Sequence, residues 1–137
     1  MIEYEGIKKK HLDGIIALCQ AAGFQSYTED ADLTWQVLNA PGVTTYVAAD
    51  GDSVVGFIQM QSDGHIQAHL SLILVDPNHR RKGIERRLIK EAFTHAGGKR
   101  IDLVTNSTDC FYRSFKHKAN WQGYRIYPQK LIRTYNR

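Results

Sequence analysis

Five cationic residues lie close to one glycine in VDPNHRRKGIERRLI, residues 75–89. An apolar strand pattern precedes this segment, and an apolar stripe at helical spacing follows Gly83. The segment is therefore predicted to be a turn between a central strand and a long helix. The first N–H groups of a helix have no intrahelical partner, and the macrodipole makes that end positive. Because a glycine also lets an anion approach the backbone closely, the segment predicts a phosphate site.

The sequence of the turn restricts the kind of phosphate. It contains neither GxxxxGKS/T nor GxGxxG, which disfavours a nucleoside triphosphate or a dinucleotide. Another pyrophosphate fits better. Glu85, two residues after the glycine, would repel an anion if its carboxylate pointed inward. We expect it to point outward, where an acid in the first turn of a helix is stabilised by roughly 0.3–1 kcal/mol.

Strand and helix patterns along the chain define the elements that position this turn. Strands are predicted at IEYEGIKK, VTTYVAAD, SVVGFIQMQ, HIQAHLSLILVD and KRIDLVTN. Helical spacing predicts a first helix that ends at Gly23, a second that begins at the capping residue Thr28, and a long helix after Gly83. STDCFYRSF is predicted to be a short helix, and GYRIYPQKLIRTY one or two strands.

The fourth predicted strand separates polar and apolar side chains. Strict alternation predicts one polar face and one apolar face. The polar face comprises His65, Gln67, His69 and Ser71, and the apolar face comprises Ile66, Ala68, Leu70, Leu72 and Leu74.

Length, charge and cysteine content limit the class of protein. A chain of 137 residues with 42% hydrophobic content can bury one core, and we expect a single domain over residues 1–137. No secretory signal or membrane-spanning run is visible, so a cytoplasmic location without a membrane partner is expected. Cys19 and Cys110 form no CxxC pair, which predicts reduced thiols and no metal site.

The order of elements and the segment VDPNHRRKGI resemble the GNAT superfamily of N-acetyltransferases. The family signature is Q/R-x-x-G-x-G/A after a V-x-P turn, and Arg80 and Gly83 match it. The resemblance implies an α/β (α+β) fold, with a central, mixed and mostly antiparallel twisted sheet flanked by helices. It implies acetyl-coenzyme A as co-substrate. The implied cofactor-binding residues are Leu74, Val75, Arg80, Arg81, Lys82, Gly83, Ile84 and Glu85.

The resemblance also suggests catalytic residues. LVTNSTDCFYRSF supplies Asn106 for cofactor binding and Tyr112 at the family position of the tyrosine that is often proposed to protonate the thioester sulfur. Some family members carry an acid or base six residues before the V of V-x-P, which is His69 here. A histidine can accept the proton of an amine near neutral pH. Cys110 is interpreted as a packing residue, because direct attack by an amine needs no acyl-enzyme.

The acceptor is the least defined part of this hypothesis. FKHKANWQGY follows Tyr112 where the family commonly has L-G-F, so the acceptor end of the cleft is expected to differ. Glu29, Asp30 and Asp32 lie in the region that borders the acceptor in the family, which would suit a cationic amine. Acids at a helix start that face solvent explain the same residues equally well.

Two other functions are weighed against direct acetyl transfer to a primary amine of a small molecule. Residues 65–137 carry fifteen Lys/Arg and five Asp/Glu, whereas residues 1–64 carry three and nine, so the basic half could form a nucleic-acid-binding module. No recognition-helix or RNA-binding aromatic pattern supports that reading, and nucleic acid is not the expected partner. The second alternative is a catalytically weak domain of the same fold that binds acyl-coenzyme A. A homodimer is left open.

Overall fold

Five strands form a sheet in the computed structural model, which describes residues 1–105, 109–117 and 123–128. Their order across the sheet follows the chain, and the strands are β1 Ile2–Gly6, β2 Val43–Asp50, β3 Ser53–Ser62, β4 Gln67–Val75 and β5 Arg100–Asp102. The first four pair antiparallel, and β5 runs parallel to β4. The predicted mixed and mostly antiparallel sheet is confirmed.

The helices that connect these strands lie on both faces of the sheet. The α-helices are α1 Leu12–Ala22, α2 Ala31–Leu38, α3 Ile84–Ala96 and α4 Asp109–Arg113, with short 3₁₀ helices at Lys9–His11, Gln25–Tyr27 and Pro77–His79. Gly23 ends α1 in the left-handed region at φ +83°, as predicted. The predicted apolar stripe of α3 is buried at Ile84, Leu88, Ile89 and Ala92.

The second helix begins later than predicted. Asp30 is its N-cap, because the Asp30 carboxylate accepts the N–H of Leu33 at 3.1 Å. Thr28 does not cap it, since its hydroxyl donates to the Gln25 carbonyl oxygen at 2.9 Å and closes the preceding 3₁₀ helix. The N-cap of α2 is therefore Asp30 and not the predicted Thr28.

The core lies on both faces of the sheet. On the face of α1 and α2, Ile15, Cys19 and Leu38 pack against Val47, Phe57 and Leu72. The opposite faces of the central strands bury Ala48, Ile58 and Met60 toward α3, whose own apolar stripe is buried there. Cys19 is fully buried, and burial raises the pKa of its thiol to about 11. Such a thiol is a packing residue.

A β-bulge at Ser71 overturns the predicted division of β4 into a polar and an apolar face. Gln59 pairs with Leu72 and Met60 with Leu70, so Ser71 is an extra residue without an opposite partner. The side chains therefore change faces at this point. His69, opposite Gln61, and Leu72, opposite Gln59, lie on the same face, whereas strict alternation had separated them. Leu72 joins the cluster beneath α1 and α2.

The ends of β4 and β5 also differ from the prediction. His65 and Ile66 precede the strand, because the Asp63 carboxylate accepts both of their N–H groups at 2.7 Å. These backbone bonds, led by that from Ile66, lower the pKa of Asp63. The strand predicted in KRIDLVTN is only three residues long, Arg100–Asp102, and lies at the sheet edge in the described structure.

The described residues fall into two units. Met1–Leu103 is one compact unit, and the described residues from Val104 onward form the second. In the second unit the predicted short helix is confirmed as α4, and residues 123–128 contain no strand. A single domain over residues 1–137 stays a prediction.

The buried His11 makes the stability of the first unit depend on pH. Its Nδ1 accepts the Lys8 N–H at 2.9 Å, so Nε2 carries the proton toward Glu5 Oε1 at 3.0 Å. Burial lowers the pKa of His11, and Glu5 opposes this shift only in part. Between the two pKa values the unfolded chain holds more protons than the folded one, so the unfolding free energy falls as the pH falls below about 6.5.

Denaturant unfolding between pH 8 and pH 5 measures this effect. His11→Asn keeps an acceptor for the Lys8 N–H but cannot titrate, so the variant should lose part of the pH slope. The matched change of the exposed His65 to Asn should leave the slope as in the wild type. An equal slope in wild type and His11→Asn would show that His11 is not the titrating group.

Candidate functional site

Asp76, the first residue of the turn after β4, fixes the conformation of that turn. Asp76 caps the 3₁₀ helix Pro77–His79, and its carboxylate contacts His79 Nδ1 at 2.9 Å. The Asp76 N–H donates to the Val55 carbonyl oxygen at 2.8 Å, which anchors the turn to β3. The chain therefore leaves β4 along a fixed path before it reaches the basic residues.

The start of α3 is fixed by close packing against β3. A Cβ on Gly56 would lie 3.1 Å from the Leu74 carbonyl oxygen, 3.3 Å from Val75 Cγ2 and 3.4 Å from Ile84 Cγ2. The first residue of α3 can approach the strands this closely because position 56 has no side chain. This contact places the helix N-terminus beside the end of β4.

The residues from Arg81 to Glu85 present unpaired backbone N–H groups. Arg81 has φ +63° and Gly83 has φ +78°, so the chain enters the left-handed region twice before α3 begins. Within the described residues, the N–H groups of Arg81, Lys82, Gly83, Ile84 and Glu85 make no hydrogen bond. A Cβ at Gly83 would meet no atom within 4 Å, which leaves open space beside these donors. We call residues 80–85 the amide turn.

This geometry suits a phosphate group. Concave backbone with left-handed residues forms anion-binding nests, and the positive end of the 13-residue α3 adds to the attraction. Arg80, Arg81 and Lys82 are exposed, so their charges are available to an anion in solution. A pyrophosphate therefore fits the donors that this chain supplies.

Glu85 differs from the expectation. Its side chain is partly buried in the first turn of α3 and does not point fully outward. Burial raises the pKa of the Glu85 carboxyl, and the positive charge of Arg80 opposes that shift only in part. The cause is its place in the helix, one residue after the buried Ile84 and three before the buried Leu88. A partly buried carboxylate therefore belongs to the last residue of the amide turn.

One edge of β4 has no neighbouring strand among the described residues over the stretch that leads to the amide turn, and we call this stretch the open edge. β5 pairs with β4 only from Gln67 to His69. From Leu70 to Val75, β4 has β3 on one side and no strand among the described residues on the other. The predicted binding residues Leu74 and Val75 lie on this edge. Backbone groups on such an edge can pair with an extended ligand that carries amide groups.

His69 lies at the far end of the open edge. It comes six positions before Val75, roughly 20 Å of extended chain. Its side chain is exposed and lines an open depression of about 320 Å³ together with Gln61, Gln67 and the chain around Gly42. A proton acceptor in this position is accessible to a ligand from solvent.

A polar pair near the bulge was not predicted from the sequence. The Tyr27 hydroxyl donates to Gln59 Oε1 at 2.5 Å, and Gln59 is only 2% exposed. The Thr34 hydroxyl donates to the Tyr27 carbonyl oxygen at 2.8 Å and fixes the 3₁₀ helix. Gln59 lies opposite Leu72, directly beside the bulge. A glutamine inside the β-rich run SVVGFIQMQ was the only signal, and that signal was weak.

Other predicted residues do not form part of this arrangement in the first unit. Asp30 is occupied as the α2 cap, and Glu29 and Asp32 are exposed. Tyr112 belongs to α4 in the second unit, where its ring packs edge-on against Phe111 with centroids 5.0 Å apart. Asn106 lies outside the described residues, as do the side-chain contacts of Cys110.

The described residues were searched for a metal site and for a membrane-spanning helix. They contain no group of three or more His, Cys, Asp or Glu side chains able to hold a metal ion. Of the helices in the described ranges, none has the length and apolar character needed to cross a bilayer.

Comparison with known proteins identifies a family. Residues 41–117 match the family model described as an acetyltransferase (GNAT) domain. The matched range includes the amide turn, the open edge of β4 and α4. No curated protein sequence matches the chain significantly.

Solved structures share the fold at low identity. A ribosomal-protein-alanine N-acetyltransferase from Brucella melitensis biovar Abortus is 17% identical with a TM-score of 0.72, over 92% of this chain and 98% of that one. AAC(6')-Iy in complex with the bisubstrate analogue CoA-S-monomethyl-acetylneamine is 18% identical with a TM-score of 0.70, over 93% and 99%. An aminoglycoside acetyltransferase from an uncultured soil metagenomic sample is 22% identical with a TM-score of 0.72, over 92% and 94%.

Proposed function

Because this chain belongs to the GNAT acetyltransferase family, we propose that it transfers the acetyl group of acetyl-coenzyme A directly to a primary amine of a small molecule. The observation that carries the proposal is the amide turn, whose unpaired N–H groups suit a pyrophosphate. Two of the structures similar in fold are aminoglycoside acetyltransferases, which supports a small-molecule amine as the class of acceptor.

Different residues of the first unit would bind different parts of the two substrates. The amide turn would hold the pyrophosphate, and the open edge of β4 would pair with the amide-bearing arm that follows it. The acyl group would then lie near the bulge, and the acceptor would approach from the side of His69, which lines the open depression. Holding both reactants in one place removes much of the entropic barrier to their reaction.

The proposed reaction is a single displacement. The amine nitrogen forms a bond to the acyl carbonyl carbon, and the bond from that carbon to sulfur breaks. His69 accepts the proton that the amine loses, and Tyr112 donates a proton to the departing sulfur. The products are the N-acetylated amine and coenzyme A, and no acyl group is attached to the protein at any step.

Two measurements test the proposed function. Calorimetry with acetyl-coenzyme A should show binding by the wild-type protein. A screen of polyamines, aminoglycosides and amino acids with acetyl-coenzyme A should then reveal an acceptor by release of the coenzyme A thiol. Absence of any binding would contradict the proposal, and salt-sensitive retention on nucleic acid in its place would favour the basic binding module.

His69→Ala is expected to lower turnover about tenfold at neutral pH. The loss is moderate because His69 is exposed, so that water can in part accept the proton. The dependence of the rate on pH should differ between the wild type and the variant, because the variant lacks the base. His65→Ala, an exposed histidine outside β4, is the control and should keep the wild-type profile. An unchanged profile in His69→Ala would remove it as the base.

A catalytically weak binding domain is the second candidate, and the partly buried Glu85 favours it. One negative charge close to the amide turn opposes binding of a pyrophosphate. Binding of acetyl-coenzyme A without turnover for any amine in the screen would favour this candidate. Turnover with any of them would exclude it.

Glu85→Gln is expected to raise the affinity for coenzyme A about three- to tenfold by removing this repulsion. Because burial raises the pKa of the Glu85 carboxyl, the wild-type affinity should rise as the pH falls through that pKa and the carboxyl becomes neutral. Calorimetry across the pH range should show a smaller pH effect in the variant. Glu91→Gln, on the same helix and paired with Arg87 at 3.0 Å, is the matched control with wild-type behaviour.

A further inference from the structure

One side chain is placed to restrain the stretch of chain between β4 and α3. Residues 77–83 are all exposed except His79, whose side chain is 22% exposed. The Asp76 N–H fixes one end of the stretch through the Val55 carbonyl oxygen, and the buried Ile84, which packs against β3, fixes the other. Between these two points, His79 is therefore the residue whose side chain can hold the backbone in place.

Two carboxylates lie beside the two nitrogens of the His79 ring. Nδ1 is 2.9 Å from Asp76 Oδ2, and Nε2 is 4.0 Å from Asp50 Oδ2. An ionised carboxylate only accepts hydrogen bonds, so Nδ1 carries the proton and donates to Asp76. Asp50 attracts the ring when Nε2 is protonated as well. Because Asp50 is the last residue of β2, the ring connects the chain before α3 to a strand that is not a neighbour of β4.

His79 directly precedes the amide turn, whose backbone needs such a restraint. Arg81 has φ +63°, a conformation that L side chains rarely adopt, and Gly83 follows at φ +78°. The N–H groups of the turn converge on one anion only while both residues keep these angles. Residues in such conformations persist when the surrounding structure determines them. A fixed ring at position 79 restricts the turn from the end at which the chain enters it.

We propose that His79 is a positioning residue for coenzyme A, whose ring is held by Asp76 and Asp50 and fixes the backbone of the amide turn. This inference rests on the proposed function and adds a residue that acts on the ligand only through the N–H groups of the turn. Without the ring, the turn would spend part of its time in conformations that cannot bind. The apparent affinity then falls by the fraction of molecules that remain competent.

Calorimetry with coenzyme A tests the role without knowledge of the acceptor. His79→Ala should bind about three- to tenfold more weakly than the wild type, because the binding-competent fraction is smaller. His79→Asn should regain most of the affinity, since the asparagine amide nitrogen can donate to Asp76 in place of Nδ1. His65→Ala, at an exposed histidine outside β4, is the matched control and should bind as the wild type does.

A double-mutant cycle tests the contact with Asp50. At pH 6, below the ordinary histidine pKa of about 6.5, Asp50→Asn should weaken the binding of coenzyme A about two- to threefold in the wild-type background. The same change should have a smaller effect in His79→Ala, which lacks the ring. The Met1 ammonium also lies 3.7 Å from Asp50, and the cycle subtracts its contribution because it is present in both backgrounds. Equal effects in the two backgrounds would overturn the role of Asp50.

Turnover distinguishes positioning from a loss of folded protein. With an acceptor from the amine screen, His79→Ala should raise KM for acetyl-coenzyme A and keep the wild-type kcat, whereas partial unfolding would lower kcat by reducing the amount of active enzyme. Wild-type affinity in His79→Ala, or no recovery in His79→Asn, would overturn the role of His79 while the binding of coenzyme A itself stands. A wild type that does not bind coenzyme A would contradict the proposed function instead.

Discussion

Replacing Gly83 with alanine is expected to lower the affinity for coenzyme A roughly ten- to hundredfold, the equivalent of one hydrogen bond to a charged group. At φ +78° a side chain costs roughly 1–2 kcal/mol, so alanine favours a different backbone conformation. The N–H groups of Gly83 and Ile84 would then no longer converge. The new Cβ would also occupy the open space beside them.

Gly23→Ala separates the effect on binding from the effect on folding. Gly23 has φ +83°, and a Cβ there also meets no atom within 4 Å. Both variants should lose similar stability in denaturant unfolding, whereas calorimetry should detect weakened binding only in Gly83→Ala. Wild-type affinity in Gly83→Ala would mean that the anion binds elsewhere.

The amide turn could be predicted from the sequence because its determinants are local. A glycine followed by an apolar stripe specifies both the start of α3 and its unpaired N–H groups. The path before it depends on Asp76 and Pro77, which are also adjacent in sequence. The same locality explains why the end of α1 at Gly23 was predicted correctly.

The inner part of the candidate site could not be predicted, because it depends on strand pairing. Alternation along β4 gives no sign of the bulge, which exists only where Gln59 and Met60 face Leu72 and Leu70. The prediction therefore placed Leu72 on the wrong face. The contact of Tyr27 with Gln59 joins residues 32 positions apart, and no sequence motif connects them.

The partial burial of the Glu85 side chain was not predicted, for a different reason. Its spacing from Gly83 was read correctly, but the direction of a first-turn side chain depends on how the helix packs. Ile84 and Leu88 turn the start of α3 toward the strands, and Glu85 becomes partly buried with them. Charge and spacing alone predicted an outward acid.

Tyr112→Phe is expected to reduce kcat by a factor of about 10² to 10⁴, the usual contribution of a positioned acid or base. Without the hydroxyl, the sulfur must leave as a thiolate or take its proton from water. The phenyl ring of the variant keeps the edge-on contact with Phe111. Turnover of an acceptor from the amine screen measures the loss, and calorimetry should show nearly unchanged affinity for coenzyme A.

Two further results distinguish an acid from a packing residue at position 112. The alkaline limb of the wild-type pH–rate profile should disappear in Tyr112→Phe, because that limb reports loss of the donated proton. Tyr46→Phe removes a hydroxyl from a ring that packs near His95, with centroids 6.0 Å apart, and should leave kcat unchanged. Undiminished turnover in Tyr112→Phe would mean that the sulfur is protonated by another group, because the ring alone is then sufficient for activity.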